Sequence, residues 1–134
     1  SQPGTAFIGI HIQPKHAAAE MGHMARVSEF ILQHWKTDKA VILGDMNADC
    51  RYMSRSALAQ TPLKTEPGFT WLIPDTADTT VSCYTDCAYD RIIVTDAVVV
   101  HGRASVFNFD TEYFLTYDEA LAVSDHYPVE VQIC

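Results

Sequence analysis

The stretch Ala40-Val41-Ile42-Leu43-Gly44-Asp45-Met46-Asn47 indicates both the fold and the chemistry of this chain. Its four leading apolar residues, two of them β-branched, are typical of a short buried strand. The strand ends at Gly44, and a carboxylate and an amide follow at once. A carboxylate oxygen can hold a metal ion, and the Asn amide can donate to a phosphate oxygen. Because Gly, Asp and Asn are also ordinary turn residues, this motif alone slightly favours a simple turn.

Strand and helix patterns extend on both sides of this stretch and predict an α/β chain with five to seven strands and about two helices. Apolar, β-branched or alternating runs predict strands at Ala6–Ile12, Phe69–Ile73, Arg91–Thr95, Ala97–His101 and Val129–Ile133, with a further candidate at Ser105–Phe109. Helical spacing of apolar residues predicts helices at Ala17–Trp35 and Thr116–Val123. Thr116 and Glu119 have the spacing of a capping box.

Three further strand ends carry residues with catalytic chemistry. His11 lies in an apolar strand, where a lone histidine is more often a satisfied core residue. Asp90 opens a strand, where it would orient an imidazole or simply pair with Arg91. Asp125 and His126 precede the last strand, as a metal ligand beside a general base or as part of a surface turn.

Taken together, these four strand ends are more informative than each is alone. In chain order they carry His, Asp-x-Asn, Asp and Asp-His. That set contains a general base, a carboxylate to orient it, a carboxylate for a metal ion and donors for a charged transition state. Hydrolysis of a phosphodiester needs these same groups.

The composition limits the classes of function. With 17 acidic and 9 basic residues the net charge is −8, which argues against gripping nucleic acid by bulk charge but not against a metal-dependent nuclease. No apolar run approaches the ~20 residues of a membrane span, so no membrane partner is expected. The four cysteines lack the spacing of a zinc site, and disulfides in an oxidising compartment are the better interpretation; the sequence alone leaves their pairing open.

Beyond these four motifs, longer segments of the sequence resemble the deoxyribonuclease I family of the endonuclease/exonuclease/phosphatase superfamily. The segments that carry the resemblance are Trp71-Leu72-Ile73-Pro74-Asp75, Ala77-Asp78-Thr79-Thr80, Cys87-Ala88-Tyr89-Asp90-Arg91-Ile92 and Ser124-Asp125-His126-Tyr127-Pro128-Val129-Glu130. The resemblance implies half of a four-layer α/β/β/α sandwich, with one mixed sheet and outer helices. Residues 1–134 would form the C-terminal half of that domain, and the N-terminal half would be missing. An isolated half would expose the apolar sheet face opposite the Ala17–Trp35 helix.

The resemblance also implies roles for single residues. His11 and His126 would flank the scissile phosphate, with His126 as the base and Asp90 orienting it. Asp45 and Asn47 would assist metal binding and stabilise the pentavalent phosphate, and Asp125 would serve the metal centre. The expected ion is Mg²⁺ or Mn²⁺. Residues implied at other places are Asp78 as a Ca²⁺ ligand in the loop 78–85, Tyr52 and Tyr89 along the DNA groove, and Cys50 with Cys87 as a disulfide.

The expected protein is therefore a secreted deoxyribonuclease that acts on DNA, with the isolated half inactive. Asp49 would add a negative charge near the path of the phosphate. Actin binding stays open, because the family's contact segment lies in the missing half, and so do the roles of Cys83 and Cys134. Two alternatives are a truncated or degenerate product that binds DNA or a partner without catalysis, and a superfamily hydrolase acting on a phospholipid or nucleotide.

Overall fold

The computed structural model describes residues 4–134, so the first three residues of the predicted 1–134 domain lie outside it. The described chain is a mixed α/β structure, as the sequence predicts. Its strands are β1 (Ala6–His11), β2 (Ala40–Asp45), β3 (Phe69–Trp71), β4 (Asp90–Thr95), β5 (Val100–Val106) and β6 (Val129–Ile133). Its α-helices are α1 (Ala17–Trp35), α2 (Arg55–Gln60), α3 (Pro62–Thr65), α4 (Phe109–Glu112) and α5 (Tyr117–Val123).

Four strands form a mixed sheet in the order β1-β2-β4-β3, with β1 parallel to β2 and the other neighbours antiparallel. Helix α1 covers one face of this sheet. Its buried stripe, which includes Met21 and Met24, packs against Ile8, Ile42 and Ile93. Because these side chains recur at helical spacing on α1 and at every second position on the strands, each element buries one face.

The remaining two strands, β5 and β6, pair with each other in a separate sheet. The one mixed sheet expected from the resemblance is therefore divided in two, and Val129–Ile133 belongs to the smaller sheet. Its apolar side chains instead join a second core with Val41, Ile92 and Val94, on the sheet face opposite α1. The strand pattern indicates that one face of β6 is buried but does not identify the surface that buries it.

The predicted exposure of that sheet face is confirmed only in part. The β5–β6 pair covers β2 and β4 and leaves the outer strand β1 open. On β1 the Phe7 side chain is 59% exposed, and Gly9 and His11 on the same face are also exposed. The uncovered apolar area is thus a strip along one edge strand.

Other element boundaries differ from the sequence prediction. The two strands expected at Ala97–His101 and Ser105–Phe109 are the single strand β5, interrupted by a bulge at which Gly102 has a φ of 72°. Helices α2, α3 and α4 were not predicted, because pieces of four to six residues carry too little periodicity. Helix α5 has the predicted Thr116–Glu119 capping box. Among the described residues no helix is long and apolar enough to cross a membrane.

Candidate active site

Three of the predicted site residues form a row across the sheet. In the strand register His11 of β1 is paired with Asp45 of β2, and Asp45 is paired with Asp90 of β4. Neighbours in register point to the same face of a sheet, so all three side chains emerge side by side, on the face opposite α1. Residues 79 positions apart in the chain are brought together in this way by backbone pairing alone.

Gly44 allows this row to form. Its φ is 140°, and a Cβ atom at this position would collide with the carbonyl oxygen of Ile10 on the neighbouring strand. Only glycine fits such a close approach of two backbones. Gly44, which resembles a turn residue in the sequence, is therefore inside β2. It allows β1 to pack closely against β2 immediately before Asp45.

His126 completes the row from the loop between α5 and β6. Its Nδ1 lies 2.7 Å from Oδ2 of Asp90, so the two residues that the resemblance pairs are in contact. Its Nε2 lies 3.9 Å from Oδ2 of Asp45, and Nε2 of His11 lies 3.5 Å from the same oxygen. The two imidazoles thus stand on either side of Asp45. His11 is exposed, in contrast to the core histidine that its apolar strand suggests.

The charges of this group change the protonation of its members. The hydrogen bond that His126 donates to Asp90 raises the pKa of His126 to about 8, against the opposing effect of burial, and the nearby charges of Asp90, Asp45 and Asp125 add to the increase. Burial raises the pKa of Asp45, and the charge of Asp90 raises it further. Two carboxylates crowded in this way repel each other unless a cation lies between them.

Among the described residues, one group has the geometry to hold a metal ion: Asp45, Asp90 and His126, whose ligand atoms lie within 4.8 Å of one another. Oxygen-rich donors of this kind fit a hard divalent cation such as Mg²⁺ or Mn²⁺. The exposed side chain of Asp125 is not part of this group, so its place at a metal centre stays a prediction.

Asn47 is buried next to the row and has the left-handed φ of 48° that asparagine tolerates. Its backbone N–H donates to Asp45 Oδ1 at 3.0 Å, and its side-chain amide donates to the Ile12 carbonyl at 2.8 Å. Asn47 therefore fixes the Asp45 carboxylate and ties the ends of β1 and β2 together. These contacts leave its proposed contact with phosphate untested.

A cleft of about 570 Å³ opens beside His126. Tyr52 and Tyr89 line it, with their ring centroids 5.6 Å apart, and the Tyr89 ring stacks against His126 at 6.0 Å. Both tyrosines that the resemblance assigns to a groove are thus brought to one surface that leads to the row. The sequence could not have shown this stacking, because it depends on how two loops meet.

A disulfide joins Cys50 to Cys87, as the resemblance implies, with the two Cα atoms 5.9 Å apart. It fastens the loop after β2 to the segment that leads into Asp90. The buried Asp49 carboxylate accepts from the Ala88 N–H at 2.8 Å beside it. The Asp49 side chain turns inward, and the expectation that it adds charge near the path of the phosphate stays a prediction. Cys83 and Cys134 are free and exposed.

The carboxylate of Asp78 lies at the head of its own loop. Asp78 Oδ1 accepts from the Thr80 N–H at 3.0 Å, the Thr80 hydroxyl at 2.6 Å and the Cys87 N–H at 3.3 Å. The Thr85 hydroxyl also donates to that of Thr80 at 2.7 Å. The oxygens of Asp78, Thr80 and Thr85 are therefore gathered in one place, and the Ca²⁺ role of Asp78 stays a prediction.

Sequence reasoning missed a network of buried charge behind the row. The fully buried Arg91 donates to the Ala88 carbonyl at 2.8 Å, the Ile73 carbonyl at 2.9 Å and Asp75 Oδ1 at 2.7 Å. Arg91 therefore does not pair with Asp90, the alternative that the sequence left open. A charged residue inside an apolar strand, one position from the carboxylate of Asp90, was the available signal, because such a residue must find its partners in the interior.

Comparison with known proteins identifies the family. Residues 7–126, which include His11 and His126, match the Endonuclease/Exonuclease/phosphatase family. The chain belongs to that family. One relative is deoxyribonuclease-1-like 1 of Homo sapiens. This chain is 40% identical to it over 139 residues, and the match covers 98% of this chain and 44% of that protein. Deoxyribonuclease-1 of Bos taurus is 42% identical over 132 residues, with 96% and 46% covered.

These matches confirm the resemblance to the deoxyribonuclease I family that the sequence motifs indicate. The chain spans less than half the length of the relatives named here, and it corresponds to a C-terminal piece of them. A mixed α/β structure with a four-stranded sheet agrees with the α/β sandwich expected for the family.

Proposed function

We propose that the complete protein is a divalent-metal-dependent endonuclease that hydrolyses phosphodiester bonds of DNA. The observation that carries the proposal is the row His11–Asp45–Asp90 with His126 at its end. Two imidazoles on either side of a carboxylate, one of them oriented by a second carboxylate, can bind a phosphate and move a proton. The relatives, which are named deoxyribonucleases, supply DNA as the substrate.

His126 is the general base in this proposal. Because Nδ1 faces Asp90 at 2.7 Å, Nε2 is the nitrogen left to take a proton from the attacking water. The Asp90 carboxylate stabilises the imidazolium that results. His11, on the other side of Asp45, hydrogen-bonds the phosphate oxygens, so that the scissile phosphate lies between the two rings.

The cation in this proposal is Mg²⁺ or Mn²⁺, which would supply Lewis-acid stabilisation of the phosphate charge. Asp45 is its main ligand, with Asp125 at the same centre. Asn47 holds the Asp45 carboxylate through its backbone N–H and presents its side chain to the pentavalent phosphate. Burial of Asp45 and the nearby charge of Asp90 raise the Asp45 pKa, and this crowding of two carboxylates supports a cation here.

A second ion, Ca²⁺, is proposed at Asp78, supported by the hydroxyl oxygens of Thr80 and Thr85 beside its carboxylate. Its role would be to hold the loop 78–85 closed. Calcium takes more oxygen ligands than this cluster offers, so backbone carbonyls and water would complete its shell.

The DNA strand lies along the cleft beside His126 in this proposal. Tyr52 and Tyr89 line the cleft, and the exposed Arg51, whose guanidinium lies over the Tyr52 ring, lines it too and can pair with a phosphate. Since the chain as a whole carries a net charge of −8, binding depends on this local surface and on the bound cation rather than on overall attraction.

The active protein further requires an upstream half of similar size. This proposal is supported by the doubled length of the relatives and by the open face of β1, where Phe7 is 59% exposed. Under this proposal the 134-residue chain alone is inactive. We also propose that the protein is secreted, which is supported by the Cys50–Cys87 disulfide, a bond that persists in oxidising compartments.

The test is supercoiled-plasmid nicking by the chain extended to the length of its relatives, with Mg²⁺, with Mn²⁺, with added Ca²⁺ and with a chelator. Nicking that needs Mg²⁺ or Mn²⁺ and is absent from the 134-residue chain is the expected result. Hydrolysis of phospholipid or free nucleotide in place of DNA would assign another substrate. DNA binding without nicking under every metal condition would make the protein a non-catalytic binder.

A further inference from the structure

Thr79, in the loop between β3 and β4, is fully buried between the two members of the Asp90–His126 pair. The Asp90–His126 pair needs a third residue to fix its geometry, because its two members lie in different parts of the fold. Asp90 opens β4 in the main sheet, whereas His126 precedes β6, which belongs to the other sheet. A strand ladder therefore does not fix the distance between these two residues, although the hydrogen bond between them tolerates little displacement.

The side chain of Thr79 holds the Asp90 segment. Its Oγ1 accepts from the backbone N–H of Tyr89 at 3.1 Å and from that of Asp90 at 3.2 Å. The same hydroxyl donates to the Cys87 carbonyl at 3.3 Å. One donor and two lone pairs are all that a threonine hydroxyl has, so its full capacity is used on this single segment.

The backbone of Thr79 holds the His126 segment. Its carbonyl accepts from the Tyr127 N–H at 2.8 Å, and two residues later Val81 donates to the Asp125 carbonyl at 2.9 Å. Between these two bonds, Thr80 and His126 form an antiparallel bridge. The backbone of residues 79–81 is thus paired with residues 125–127. The Thr79 side chain points the other way and bonds the backbone N–H of Asp90.

We propose that Thr79 is a positioning residue that sets the geometry of the Asp90–His126 pair. This inference rests on the proposed role of that pair in catalysis. Thr79 holds the segments of both residues: its hydroxyl bonds the backbone at Asp90, and its carbonyl bonds the backbone beside His126. Loss of the hydroxyl leaves the N–H groups of Tyr89 and Asp90 without their acceptor, although the Thr79 N–H still bonds the Cys87 carbonyl and β4 still pairs with β2. Since His126 stays paired to residues 79–81, the start of β4 shifts relative to it and the two side chains lose their alignment.

The decisive variant is Thr79→Val, which removes the hydroxyl and keeps the shape and the backbone. Thr79→Ser keeps the hydroxyl and should therefore retain the properties of the parent chain. The matched control is Thr95→Val at the other end of β4. There another buried threonine hydroxyl accepts from the Ala40 N–H at 2.9 Å and donates to the Asp38 carbonyl at 2.7 Å. The control makes the same chemical change at the opposite end of β4 from Asp90, far from the row.

The first readout is NMR of the 134-residue chain and does not depend on activity. In Thr79→Val the amide protons of Tyr89 and Asp90 should exchange at least ~10-fold faster than in the parent, after correction for global stability. The downfield Nδ1 proton of His126, bonded to Asp90, should be lost or broadened. Thr79→Ser and Thr95→Val should keep both signals. Should Thr79→Val fail to fold, Thr79→Ala gives the same comparison with a smaller side chain.

The second readout is nicking by the longer chain under conditions where each variant is fully folded. Thr79→Val should lower kcat by ~10–100-fold with KM within ~2-fold, since misplacement of a catalytic group costs this much, and Thr79→Ser should restore it. Unchanged exchange and an unchanged His126 proton in Thr79→Val would overturn the inference, as would equal losses in Thr95→Val. An inactive parent chain would instead overturn the proposed function, while the NMR comparison would still decide the positioning role.

Discussion

The Nδ1 atom of His126 lies 2.7 Å from Oδ2 of Asp90, although the two residues are 36 positions apart and belong to different parts of the fold. This contact assigns the two ring nitrogens separate surroundings, with Nδ1 facing Asp90 and Nε2 facing Asp45 at 3.9 Å. The imidazole is therefore held with one nitrogen directed at the open side of the row.

Substitution of this pair should reduce catalysis by the longer chain. His126→Ala should lower the nicking rate by ~10²–10⁴-fold, the usual scale for loss of a general base. Asp90→Asn should cost less, because the imidazole remains but is poorly oriented. His101→Ala, an exposed histidine on β5, is the control and should nick at the parental rate. Parental activity in His126→Ala would show that another group takes the proton.

The pair should also be visible in the titration of the metal-free chain. NMR titration should give His126 a pKa of about 8, and Asp90→Asn should lower it, whereas Asp96→Asn at the far end of β4 should not. Because the folded-state pKa lies above the ordinary value of 6.5, the associated stabilisation is complete below about pH 6.5 and is lost as the pH rises through about 8. A pKa unaffected by Asp90→Asn would contradict the contact.

The disulfide should contribute measurably to stability. Peptide mapping without reductant should find Cys50 linked to Cys87, and the double variant Cys50→Ser/Cys87→Ser should lose ~2–4 kcal/mol of unfolding free energy in denaturant titration. Cys83→Ser removes an exposed free thiol and should leave the midpoint unchanged. A Cys83–Cys50 cross-link in the peptide map would refute the pairing.

The buried network behind the row should respond to acid. Burial opposes ionisation of Asp75, but the hydrogen bond and charge of Arg91, with Lys64, outweigh it and hold the Asp75 pKa below the ordinary 3.8. This lowered pKa contributes stability that is present above pH 3.8 and is lost as the pH falls through the folded-state value. Asp75→Asn should cost ~1.5–3 kcal/mol at neutral pH and flatten the acid limb of the stability curve. An acid limb identical to that of the parent would argue against this pair.

The open strip on β1 should make the isolated chain associate. Phe7 is a large apolar side chain, 59% exposed, on an edge strand, and such edges favour pairing between chains. Sedimentation velocity should show concentration-dependent association that Phe7→Thr reduces and that Tyr84→Thr, a change at an exposed loop aromatic, does not. A monodisperse monomer at all concentrations would contradict the prediction that the exposed apolar strip on β1 drives association.

The parts of the molecule that could be predicted from the sequence are those that local pattern determines. Apolar runs locate the strands, and the polar residues at their ends, such as Asp45 and Asp90, follow from that placement. The positions of Thr79 and Asp49 could not be predicted, because both bond to backbone groups of a segment that only the folded chain brings near. The same holds for β6, whose alternation indicates a buried face without identifying its partner sheet.

Asp90 and Arg91 are neighbours in the chain, yet one faces the catalytic row and the other the buried network, because β4 is pleated. Deletion of one residue between Cys87 and Asp90 would exchange the two directions. A guanidinium would then stand beside His126, and a carboxylate would be enclosed among carbonyl oxygens. The length of this segment is therefore as constrained as the identity of Asp90 and Arg91.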